Sequence, residues 1–279
     1  MAIEERRITA NGIDFALRTC GDIGPLALCL HGFPDSAHTW DRLLPPLADA
    51  GFRAVAPWTR GYAPTSIAPD GQYSVASLAA DANALHDALG GGADAVLIGH
   101  DWGAMTTYAA GASAPESWRR LVALAVPPPA TAANAVLKYA QLKRSFYVFL
   151  FQTPLAEFIV GADDLAFIER LWDDWSGDYD ATADLVHVKA AMREPENLAA
   201  AIGYYRAMFA GGGPTGLPSQ PTLYLHGTSD GAFGVEGVGG AESELPEGSR
   251  VELVDGVGHF LHLEAPDRIN RLVLDWVTA

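Results

Sequence analysis

Two cysteines in 279 residues, Cys20 and Cys29, are too few for a disulfide framework and carry no metal-ligand spacing. Both fall in or beside apolar runs, which reads as buried free thiols and points to a cytoplasmic location. Basic residues are scarce as well: 18 Lys and Arg against 34 Asp and Glu give a net charge of −16. That balance argues against nucleic acid or an anionic membrane surface as partner and favours a neutral or cationic small molecule. No apolar run reaches the length of a membrane span. The opening stretch, Met1 to Arg7, is charged and has no apolar signal core. Internal repeats and low-complexity tracts are missing too. What is present is a hydrophobic content of 49%, which excludes a disordered chain. The length suits an α/β core that carries an insertion.

Strand signals open the chain at Arg7–Thr9 and Ile13–Leu17, with Asn11-Gly12 between them as a hairpin turn. The run Leu26–Leu30 reads as a buried strand. A helix is expected over 40–48, a strand over 52–56, a helix over 75–89, then strands at 95–98 and 121–126. Such alternation predicts a parallel sheet with helices on both faces, the early antiparallel strands forming an edge. After Pro127-Pro128-Pro129 the periodicity turns helical through about 130–210. Leu142, Phe146, Phe149 and Leu150 share one predicted face; Leu165, Ile168, Leu171 and Trp172 share another. Gly211-Gly212-Gly213-Pro214 ends this block, and strands at 221–226 and 250–254 with a helix over 265–277 resume the core. The predicted division is a core over 1–126, a helical lid over 127–216 and the rest of the core over 217–279.

Between strand and helix stands Gly99-His100-Asp101-Trp102-Gly103, the pattern small-x-nucleophile-x-small. The small residues suit a sharp turn with close strand–helix packing. A carboxylate occupies the nucleophile position where such elbows usually hold Ser. With an ordinary pKa of about 3.9 it is ionised at pH 7 without a base. Carboxylate nucleophiles form covalent esters, so the elbow points to displacement at an sp³ carbon. Taken alone, the same residues also fit a plain strand-to-helix loop with Asp101 as N-cap.

Three further sites fall at predicted C-terminal strand ends, where open α/β sheets place their chemistry. His31-Gly32-Phe33-Pro34-Asp35 follows one strand. The backbone N–H of Phe33 and that of Trp102 are candidates for an oxyanion hole, and Phe33-Pro34 for a cis peptide. His31, Pro34 and His100 are candidates for the substrate pocket. Asp230 lies four residues past the strand ending at His226, and His259 sits in Gly256-Val257-Gly258-His259-Phe260. The order nucleophile, acid, histidine matches that of α/β-hydrolases. Asp255 is the rival acid, but it lies too near His259 in sequence to reach Nδ1 without a special turn. In this scheme His259 takes a proton from water, which attacks the Asp101 ester, while Asp230 fixes the imidazole tautomer.

The leaving group decides what the lid must supply. A halide needs no proton, whereas an epoxide oxygen leaves as an alkoxide and does. Tyr hydroxyls can donate it. The lid offers Tyr147, ahead of Phe151-Gln152-Thr153-Pro154, and Tyr205, between Tyr204 and Arg206. Periodicity alone reads both as packing residues. Together with His31-Gly32-Phe33-Pro34, the Asp101 elbow, Asp230 and His259, these segments resemble the epoxide hydrolases nearly end to end. The resemblance implies the α/β-hydrolase fold, with a mostly parallel eight-stranded sheet and an inserted helical cap. It also implies that the Tyr147 and Tyr205 hydroxyls hold the epoxide oxygen and that one protonates it. No cofactor and no metal are expected; the partners are a small-molecule epoxide and water, and a homodimer is compatible with the chain. Two departures stand out. Asp35 occupies a place where Glu is frequent, and Trp58-Thr59 stands where Asp and a variable residue are usual. Two other readings stay open: a haloalkane or haloacid dehalogenase using the same Asp and His, and a non-catalytic ligand-binding protein on this fold. The lid tyrosines speak against the first, as does Trp102 where a haloacid enzyme would need Arg.

Overall fold

A computed structural model describes residues 1–210 and 216–279. The expected Gly211–Pro214 end of the helical block therefore lies outside the described residues. The strands are β1 (Glu4–Ala10), β2 (Ile13–Cys20), β3 (Leu26–Leu30), β4 (Arg53–Pro57), β5 (Val96–His100), β6 (Arg120–Leu124), β7 (Thr222–Gly227) and β8 (Arg250–Val254). They form one eight-stranded sheet in the order β1-β2-β4-β3-β5-β6-β7-β8. β1 and β2 are antiparallel and make the edge; from β4 to β8 the neighbours are parallel. At the expected hairpin Ala10 pairs with Ile13, and Asn11 and Gly12 both take positive φ, 47° and 74°. That is the conformation a two-residue turn needs to match strand twist.

The central strands are continuous apolar runs because both of their faces are covered. Every residue of β3, β5 and β7 is buried. Each buried Leu, Ile or Val contributes about 1.5–3 kcal/mol relative to exposure, so this part of the sheet is the least deformable platform in the molecule. Helices Val75–Ala88 and Trp102–Ser113 pack on each other, as do Leu44–Asp49 and Pro266–Thr278. The helix expected over 40–48 is divided: a 3-10 turn covers Ala37–Trp40 and an α-helix starts at Leu44. Pro45 and Pro46 explain the break, since proline is tolerated in a first helical turn but not inside a helix. Cys20 and Cys29 are buried free thiols.

Between β6 and β7 the described residues carry the helices Pro129–Val136, Tyr139–Arg144, Phe146–Leu150, Ala156–Gly161, Ala166–Trp175, Thr182–Met192 and Pro195–Ala210. The face read through Phe146 and Phe149 is corrected here. The helix stops at Ser145 and a new one begins, leaving Phe146 and Phe149 nearly half exposed and turning Tyr147, Val148 and Phe151 inward. The second predicted face is buried as expected and continues one turn further, to Trp175. No helix among the described residues is long and apolar enough to cross a membrane.

Candidate active site

The elbow is built from close approaches. A Cβ on Gly99 would lie 2.0 Å from the Gly103 carbonyl oxygen, and one on Gly103 would lie 2.0 Å from that of Leu30. Only glycine allows the helix Trp102–Ser113 to start this close to β3 and β5. Asp101 itself takes φ 53°, ψ −116°, a conformation that costs a non-glycine residue about 1–3 kcal/mol and clusters at functional sites. The surrounding buried strands hold it there.

The carboxylate is held by backbone on one side and faces His259 on the other. Asp101 Oδ1 accepts the backbone N–H of Phe33 at 2.8 Å, and the Trp102 N–H lies near enough to the carboxylate to favour its charge. Oδ2 lies 3.8 Å from His259 Nε2, a buried nitrogen with no protein hydrogen-bond partner. The Phe33–Pro34 peptide is cis, as the sequence suggested. Burial pushes the Asp101 pKa up, against the pull of His259 and the two N–H donors. The carboxylate is therefore less acidic than the ordinary value used for the sequence reading.

His259 Nδ1 donates to Asp230 Oδ2 at 2.9 Å. Asp230 is itself anchored: its Oδ1 accepts the N–H groups of Ala232 and Phe233 at 2.8 and 2.9 Å. Asp255 is exposed and bonds the Thr228 hydroxyl instead. Burial disfavours a charged imidazole, but the Asp230 carboxylate and then that of Asp101 outweigh it, and the His259 pKa is raised.

Tyr147 and Tyr205 meet over Phe33. Their rings stand edge to face at 5.5 Å, and the Phe33 ring lies 6.4 and 5.0 Å from them. Burial, with the nearby Asp101 charge, pushes both hydroxyl pKa values up, so both remain protonated donors. The neighbouring tyrosines are placed otherwise: Tyr204 donates to the Arg60 carbonyl at 2.7 Å and Tyr139 is 84% exposed. The segments around the pair have a mechanical reading. Gln152 donates to the carbonyls of Val148 and Tyr205, at 2.9 and 3.1 Å, bridging the two tyrosine helices. Arg206 donates to the Phe151 carbonyl at 3.0 Å and forks onto Glu157.

The remaining sequence candidates are supports around this group. His31 is buried; its Nδ1 faces its own Gly32 carbonyl at 2.9 Å and its Nε2 accepts the Thr59 N–H at 3.0 Å. Because Thr59 uses its backbone there, the Trp58-Thr59 departure leaves the contact intact. Pro34 is buried and its carbonyl accepts the Trp172 indole N–H at 2.9 Å. His100 is fully buried, with Nε2 donating to the His259 carbonyl at 3.0 Å.

Two residues escaped the sequence reading. Trp175 packs against His259, ring centroids 5.0 Å apart, and against Tyr147 at 5.3 Å. Its carbonyl accepts the N–H groups of His259 and Gly231 at 3.1 and 3.2 Å. Ser176 Oγ accepts the N–H groups of His259 and Phe260, at 3.1 and 3.3 Å, and donates to Glu264. The available signal was the helical period of Ile168, Leu171 and Trp172, which reaches Trp175 in the next turn.

Comparison with known proteins agrees with this geometry. Residues 25–266 match the family described as alpha/beta hydrolase fold. Epoxide hydrolase 4 of Mus musculus is 31% identical over 96% of this chain and 77% of its own length. The chain belongs to the epoxide hydrolases of the α/β-hydrolase superfamily. Within that family, epoxide hydrolase A of Mycobacterium tuberculosis is 28% identical over 98% of this chain and 97% of its own. The crystal structure of epoxide hydrolase A from Mycobacterium thermoresistibile superposes with a TM-score of 0.82 at 26% identity, covering 100% of this chain and 99% of that one.

Proposed function

We propose that this protein is an enzyme that opens a small-molecule epoxide to a vicinal diol through a covalent ester of Asp101. The observation that carries the reading is the pair of buried, protonated hydroxyls, Tyr147 and Tyr205, set over the residue whose N–H holds Asp101. A halide leaving group would have no use for them.

The steps follow from the atoms. Asp101 Oδ2, the oxygen on the His259 side, attacks an epoxide carbon, the C–O bond of the ring breaks, and a tyrosine hydroxyl gives its proton to the departing oxygen. Water then attacks the ester carbonyl carbon while His259 Nε2 takes its proton. Asp230 holds Nδ1–H and stabilises the imidazolium. The developing oxyanion is Asp101 Oδ1, already 2.8 Å from the Phe33 N–H; one such donor typically contributes about 10²–10³ in rate. The ester breaks on its acyl side, the departing diol oxygen takes the proton left on the oxygen that came from water, and the imidazolium proton returns to the tyrosinate. We assign the cap to 127–216 between core segments 1–126 and 217–279, and a cytoplasmic location fits the buried free thiols.

The test follows the oxygen. A single turnover in ¹⁸O-water with enzyme in excess should give unlabelled diol and label in the peptide containing Gly99 to Gly103. Labelled diol with an unlabelled peptide would make Asp101 a base rather than the nucleophile. Halide release from haloalkanes without diol formation from epoxides would select the dehalogenase reading.

A further inference from the structure

The helix Pro195–Ala210, which carries Tyr205, rests on one loop of the core, 59–62, just past the end of β4. Three of its residues, spaced as i, i+3 and i+7, form the resting face. Asn197 Nδ2 donates to the Gly61 carbonyl at 2.7 Å. A Cβ on Gly61 would lie 2.5 Å from that of Ala200, so the helix sits directly on the loop backbone. Tyr204, 2% exposed, donates its hydroxyl proton to the Arg60 carbonyl at 2.7 Å, with the Thr59 hydroxyl 3.4 Å away. Tyr205 is the next residue.

The loop is itself held fast. Arg60, 1% exposed, forks onto Asp81 at 2.5 and 2.7 Å and also donates to the Gln72 carbonyl. Arginine–carboxylate forks fix geometry as well as charge. The Thr59 N–H donates to His31 Nε2 at 3.0 Å, and two residues after His31 the Phe33 N–H holds Asp101. The loop is therefore tied on one side to the cradle of the nucleophile and on the other to the helix of a proton donor.

We propose that the Tyr204 hydroxyl is a positioning group for the first step: by holding its helix on the Arg60 carbonyl it sets where the Tyr205 hydroxyl stands relative to Asp101. The inference rests on the epoxide reading above and deepens it, since the Tyr204 hydroxyl is committed to Arg60 and not to substrate. The ring alone does not account for the residue. It packs edge-on against Trp102 at 5.3 Å and Tyr62 at 5.8 Å and stacks on Tyr73 at 5.7 Å, contacts that a phenylalanine would keep. What a phenylalanine lacks is the bond to Arg60, and without it the helix can shift on the loop. A misplacement of about 1 Å at a reacting group can cost about 10²-fold in rate. Such a shift reaches Tyr205 but not His259, whose backbone is held by the Trp175 carbonyl and the Ser176 hydroxyl.

The test is a double-mutant cycle read on the two half-reactions, with styrene oxide as the probe epoxide. Rapid quenching and intact-protein mass spectrometry give the rate at which the adduct forms and the rate at which it is hydrolysed. At saturating epoxide Y204F should form the adduct about 10-fold more slowly and hydrolyse it at the wild-type rate. Adding Y204F to Y205F should slow adduct formation by less than about 2-fold further, because the group it positions is already gone. Backbone hydrogen exchange over 197–206 in the free chain should speed up several-fold in Y204F. N197A, which frees the Gly61 carbonyl on the same face, is the second variant should Y204F not fold, and should show the same pattern more weakly. A wild-type adduct rate in Y204F, losses that multiply in the double variant, or hydrolysis slowed as much as alkylation would overturn the inference. The epoxide reading has its own arm: it fails if Y205F forms adduct as fast as the wild-type chain, or if the wild-type chain forms none. Unchanged hydrogen exchange in Y204F would overturn the anchoring whatever the epoxide result.

Discussion

The core and the cap contribute to one site by different means. The core presents Asp101, Asp230, His259 and the Phe33 N–H from strand ends and tight loops, where backbone geometry fixes each group before any side chain is considered. The cap presents two hydroxyls on buried tyrosine side chains, in helices tied by side-chain clamps from Gln152 and Arg206. On the proposed reading the nucleophilic half of the site rests on the sheet, while the proton-donating half rests on aromatic packing and a few hydrogen bonds between cap helices. Each net hydrogen bond contributes about 0.5–1.5 kcal/mol, so the cap half is the softer of the two.

The largest effect should come from the core. H259Q should lower steady-state turnover by about 10³-fold or more while sparing the first step. Intact-protein mass spectrometry should then show the chain plus the mass of the whole epoxide. An unmodified chain that still binds substrate would break the division of labour between Asp101 and His259. D230N should show a milder form of the same block, with less adduct accumulated at steady state.

On the cap side, the double variant Y147F/Y205F should be nearly inactive, and each single variant slower in alkylation by about 10–10³-fold. Because the hydroxyls share one task, the single losses should not multiply. Pre-steady-state alkylation rates measure this, and wild-type turnover in the double variant would remove the cap from the chemistry.

The smallest effect sharpens the comparison most. R206M removes the fork onto Glu157 and the bond to the Phe151 carbonyl while leaving every reacting group in place. We expect roughly a few-fold to 10-fold loss in kcat/KM, in proportion to a misplaced donor. Thermal unfolding of the core should hardly change. An equal loss of His259 function, seen as adduct accumulation, would mean that the clamp acts on the core half as well.

Legibility in the sequence followed the same divide. Buried parallel strands print themselves as apolar runs, so β3, β5 and β6 were readable, as was the elbow with its two glycines. The cap was less so. Ser145 divides what periodicity reads as one helix, and the true inward face carries Tyr147, Val148 and Phe151 in place of Phe146 and Phe149. The tyrosine pair was legible through family resemblance, since amphipathic spacing gives packing and catalytic tyrosines the same signature. The contacts of Trp175 and Ser176 with the His259 loop were not legible because distant segments assemble them and no local pattern marks them.

The Trp175 carbonyl has a consequence for how substrate gets in. It receives the backbone N–H of both the acid-side and the base-side loops, through Gly231 and His259. The cap is thus bolted at this corner to the very loops it covers. Lifting it as a rigid door would strip His259 of its backbone partners and misalign the imidazole on every opening. A cap movement that spares the Trp175 corner would admit substrate to Asp101 while keeping His259 on its backbone partners.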